Sequence, residues 1–81
     1  MKNIQKQIIE LQIKEALDNR GIAVRYCYWA NTHTYEVALL TKTDYEKSYT
    51  LFEEIDKDWD LIPDCENVVG IDERNMLLFM F

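Results

Sequence analysis

Glycine and proline are nearly missing: the 81 residues hold only Gly21, Gly70 and Pro63. That scarcity excludes a glycine-rich phosphate loop, whose backbone cradle needs several glycines in one short stretch. It also argues against a disordered or linker-like chain, because 48% of the residues are hydrophobic and 12% aromatic. Ser48 is the sole serine and His33 the sole histidine. Ser48 stands in no G-x-S-x-G setting, and no nucleophile can be placed beside His33 from spacing, so His33 reads as an exposed turn residue. Cys27 and Cys65 lack C-x-x-C or metal-ligand spacing and are read as free, partly buried thiols. The chain is expected not to be an enzyme and to carry no cofactor.

Positive charge is also in short supply. Nine Lys and Arg face fifteen Asp and Glu, for a net charge of -6, and the basic residues are scattered. Phosphate-backbone binding needs a basic stripe, so direct nucleic-acid binding is not expected. An acidic chain is better suited to a basic protein surface, where complementary potential speeds encounter and rejects wrong partners. The start, Met1 to Gln7, has no continuous apolar stretch of the kind a signal peptide needs, and no segment reaches the length of a membrane span. A cytoplasmic location and no membrane association are therefore expected.

What is present is periodic. Residues 3 to 20 read as a helix that ends at Arg20-Gly21, where glycine takes the left-handed cap. At 100° per residue, Ile4, Ile8 and Leu11 share one side, and Ile9, Ile13, Ala16 and Leu17 the nearly opposite one. Ile22 to Trp29 and Thr34 to Thr41 read as a hairpin around Ala30-Asn31-Thr32-His33. Pairing Trp29 with Thr34 puts Ile22, Val24, Tyr26, Tyr28, Tyr35, Val37 and Leu39 on the core face. The half-wet face then carries Ala23, Arg25, Cys27, Trp29, Glu36, Ala38 and Leu40, with Arg25 near Glu36.

Thr43-x-x-Glu46 has the form of a capping box, so a second helix is expected from about Asp44 to Lys57, burying Tyr45, Tyr49, Phe52, Ile55 and Trp59. Glu66 to Asp72 and Met76 to Phe81 form a second hairpin around the turn Asp72 to Asn75, with Gly70 as a bulge or close-approach point. The expected fold is a single α+β domain over residues 1–81. It consists of two successive α-β-β units of about forty residues, with a four-stranded antiparallel sheet and both helices on one face. The other face exposes either Val68, Leu77, Phe79 and Phe81 or Val69, Ile71, Met76, Leu78 and Met80. Both sets are too apolar to leave wet, so a homodimer is expected.

Asp56, Asp58 and Asp60 are spaced like the start of a calcium loop. Leu61 stands where the loop needs glycine and Asn67 where it needs a bidentate glutamate, so the stretch reads as a solvated helix end rather than a metal site. It belongs to a larger acidic concentration of Glu53, Glu54, Asp56, Asp58, Asp60, Asp64 and Glu66, opposed only by Lys57. Near a helix C-terminus this charge costs stability. It serves either solubility or the recognition of a basic partner.

Trp29, with Asn31 and His33, is a further candidate contact at the hairpin tip. The leading expectation is a small acidic interaction module of the inhibitor type that binds a basic protein surface. In size and charge alone the chain is similar to small acidic phage anti-defence and bacterial immunity proteins. The alternative is a homo-oligomer that holds a nucleotide or metabolite in a pocket walled by aromatics and methionines.

Overall fold

Seventeen residues without glycine or proline wind into α1 (Asn3–Asn19). Its end is set by Gly21 at φ +67°: Ile22 N–H donates to Leu17 O and Gly21 N–H to Asp18 O, the paired bonds of a Schellman cap. The cap turns Ile22 inward onto the core and starts β1 (Val24–Trp29). The remaining elements are β2 (Thr34–Leu39), α2 (Lys42–Lys57), β3 (Asn67–Ile71), a 3-10 turn (Asp72–Arg74) and β4 (Met76–Met80). The structure, a computed structural model, describes residues 2–58 and 60–81; the expectation that Trp59 is buried lies outside them.

The sheet is antiparallel with strand order β1-β2-β4-β3, and the α+β arrangement matches the expectation. The two central strands are the second strands of the two hairpins. A half-turn about an axis normal to the sheet between β2 and β4 therefore exchanges one α-β-β unit with the other. Side chains from both helices join Tyr35, Val37, Leu39, Leu77 and Phe79 in one core, placing α1 and α2 on the same sheet face. Leu77 and Phe79 are 0% exposed at its centre.

The first hairpin departs from the expected register. Trp29 pairs with Tyr35, not Thr34, and Tyr28 with Glu36. The reason is local: Ala30 N–H bonds Thr34 O, and the Asn31 side chain accepts from His33 N–H at 2.8 Å, closing a three-residue loop instead of one of four. A one-residue slip inverts a strand, so Cys27 and Trp29 face the helices, while Tyr26 and Tyr28 lie on the open face at 48% and 47% exposure. An irregularity between Val24 and Tyr26 then pairs Val24 with Leu39 and returns it to the helix side.

The start of α2 also differs. Thr41, not Thr43, caps the helix: its hydroxyl accepts from Asp44 N–H at 3.1 Å and donates to Asp44 Oδ2 at 2.9 Å. The buried stripe is Tyr45, Ser48, Leu51 and Ile55, with Asp44 at its start; Phe52 is half-buried and Tyr49 exposed. Ser48 replaces Tyr49 because its hydroxyl is satisfied by donating to the Tyr45 carbonyl, which lets a small residue sit where the helix meets the sheet. In the second hairpin Asn75 takes the left-handed conformation at φ 51°. Gly70 is a close-approach point: it faces Tyr45, whose ring fills the space a side chain would need.

Candidate functional site

The acidic residues lie on the last turns of α2 and on the loop that leads to β3. Glu53, Glu54, Asp56, Asp58, Asp60, Asp64 and Glu66 are all exposed. Glu54 is drawn aside into a groove between the helices, where it pairs with Arg20, whose Nη1 also donates to Ala16 O at 2.6 Å. Asp58 accepts from the Asp60 N–H at 3.0 Å, a bond that shapes the turn after the helix. Asp64 adopts φ 66° and, with Glu66, lines a depression at the hairpin tip beside His33 and Phe81. Apart from Glu54, none of these carboxylates takes part in an ion pair among the described residues. Nor do any three His, Cys, Asp or Glu side chains among the described residues converge as a metal site would require.

Trp29 is not a free contact residue at the hairpin tip. Its ring packs against Tyr35 and Phe81 at centroid distances of 5.0 and 5.7 Å. Its indole N–H donates to Glu10 Oε1 at 2.8 Å, and the Lys6 ammonium lies 5.3 Å from the ring centre. These contacts tie β1 to α1 and follow from the register slip that turned Trp29 inward.

Beside Trp29, α1 and the edge strand β1 leave a groove of about 600 Å³. Leu11, Leu17, Val24 and Val37 form its apolar wall, and Glu10, Cys27 and Tyr35 supply polar atoms. Burial holds the Tyr35 hydroxyl well above the ordinary phenol range, reinforced by the neighbouring Cys27 thiol and Glu10. Tyr35 is therefore a poor base at neutral pH. Cys65 is likewise held protonated by burial and contacts the Asn67 carbonyl at 3.5 Å; both cysteines are free thiols.

The open sheet face carries the residues that sequence reasoning placed wrongly. Tyr26 and Tyr28 lie nearly parallel with centroids 6.1 Å apart, and Tyr28 donates its hydroxyl to Glu36. Val69, Ile71, Leu78 and Met80 continue the surface across β3 and β4, the second of the two sets the pattern allowed. At one end, Arg25, Arg74, Glu36 and Glu73 border a single shallow depression with the tyrosines and Met76. The signal that would have found this face is Asn31, whose turn-forming side chain shortens the loop and sets the register.

No helix among the described residues is long and apolar enough to cross a membrane. No protein family matches this sequence, and no curated protein and no solved structure matches it significantly.

Proposed function

We propose that this chain is a non-enzymatic protein-interaction module that binds, and by occlusion inhibits, a partner with a basic surface. One observation carries the reading: Glu53, Asp56, Asp58, Asp60, Asp64 and Glu66 are exposed and engaged by no cation of the chain among the described residues. Carboxylates crowded at the negative end of α2 repel one another and the helix dipole, so they cost stability that a basic partner would offset. A non-catalytic role is supported by the state of two of the nucleophiles. Ser48 is buried with its hydroxyl committed to the Tyr45 carbonyl, and Cys65 is buried and protonated.

The test is affinity capture of the tagged chain from cell extract at low and moderate salt, repeated with Asp56→Asn, Asp58→Asn and Asp60→Asn combined. The expected result is a stoichiometric basic partner whose capture weakens with salt and falls at least about tenfold in the triple variant, with no loss of folding stability. Unchanged capture by that variant would refute the reading.

A second reading rests on the groove between α1 and β1. Its volume of about 600 Å³ and apolar walls suit a small molecule oriented by Glu10 and Tyr35. It predicts that a metabolite panel contains a compound that raises the melting temperature, and that Leu11→Lys abolishes that rise.

A further inference from the structure

The open sheet face and the acidic segment carry different electrostatics. The chain has a net charge of -6, yet the charged residues bordering the depression on the open face are two arginines, Arg25 and Arg74, against two glutamates, Glu36 and Glu73. That sums to zero, and neither arginine is ion-paired among the described residues. A strongly basic partner finds no field to meet here. A second copy finds a neutral surface on which two negative molecules approach with their acidic segments held away from the contact.

The composition of the face fits the same occupant. Tyr26 and Tyr28 stand on β1 at one edge, and Val69 and Ile71 on β3 at the other, with Leu78 and Met80 between them. A two-fold axis lying between two such faces and parallel to the strands exchanges the edges. It seats each tyrosine pair on the partner's Val69 and Ile71, so aromatic meets aliphatic on both sides.

We propose that this face is a homodimer interface formed by two copies of the chain. Its extent sets its strength. Four strands about 4.8 Å apart and five residues at about 3.3 Å each give a footprint of about 300 Å² per copy. That is small for a specific interface, so the dimer is a weak, reversible one. Glu36 is the one charge in the middle of the strands, and pairing strips water from it. The Tyr28 hydroxyl satisfies only part of what that water provided.

Analytical ultracentrifugation of the full chain from about 1 to about 200 µM reads this directly. The expected result is a reversible monomer–dimer equilibrium. Leu78→Glu and Ile71→Lys, on partly exposed positions that leave the core untouched, each weaken it at least about tenfold while circular dichroism stays native. Glu36→Gln keeps an acceptor for Tyr28 but removes the charge, and tightens the dimer about threefold or more. A chain that stays monomeric at the highest concentration overturns the proposal. So does a dimer that both surface variants leave intact, or one that Glu36→Gln weakens.

Discussion

At Gly70 the place where a side chain would begin is already taken. A Cβ there would overlap the Tyr45 hydroxyl and lie 3.1 Å from Cζ of the same ring. Because Tyr45 is buried between α2 and the sheet, it has little room to retreat. Gly70→Ala is expected to cost about 1–3 kcal/mol by overpacking. Tyr45→Phe removes the overlapping oxygen, so the double variant should recover part of that loss. Urea denaturation of the four members of the cycle measures it, and strict additivity would show that the two residues do not press on each other. The sequence marks Gly70 as a bulge or a close approach. Only the packing says that the approaching group is Tyr45, 25 positions earlier in the chain and in neither element's local pattern.

At the scale of elements, helix periods were legible and helix starts less so. Thr41 and Thr43 are both followed three residues later by an acid, so each offers a cap. Thr41 wins because β2 ends at Leu39 and the chain has only to turn once before winding, with Lys42 then pairing to Asp72 across the fold. Thr41→Ala is expected to cost about 1 kcal/mol and Thr43→Ala close to nothing, read as a shift in denaturation midpoint. Equal effects would return the cap to Thr43. The same competition between local signals misplaced the first hairpin. Alternation correctly paired Tyr35, Val37 and Leu39 on the core face, but the loop length decided which residues of β1 joined them. In α1, both apolar sides were legible: Ile9, Ile13, Ala16 and Leu17 are buried, while Ile4 and Leu11 remain 66% exposed.

The whole molecule is as compact as a monomer of its size should be. Its radius of gyration is 11.6 Å, where the chain length calls for about 11.7 Å. Its surface of 5172 Å² compares with about 5,100 Å² expected from its mass. The case for pairing therefore rests on the composition of the open face rather than on surplus surface.

A second property belongs to the molecule as a whole. Burial raises the proton affinity of Tyr35, Tyr45 and Cys65 in the folded state. Above about pH 8.5 to 10 these groups ionise in the unfolded chain but stay neutral in the folded one. The unfolded state then binds fewer protons, so stability is full below that range and falls as pH rises through it. The melting temperature should decline steadily from about pH 8.5 to about pH 10.5, and Tyr35→Phe should make the decline shallower. A flat profile would show that these groups are not shielded as the fold places them.

The amino-acid sequence alone determined the α-β-β repeat, the cap at Gly21, the free thiols and the gathering of carboxylates. Each is encoded within a few neighbouring residues, through helical period, backbone freedom or charge density. Tertiary structure decided which face of β1 is wet, which threonine caps α2, and that Trp29 serves the core while Tyr26 and Tyr28 meet solvent. Those outcomes turn on one-residue choices of register, and a strand with apolar side chains on both faces accepts either register until the turn and the facing helix select one.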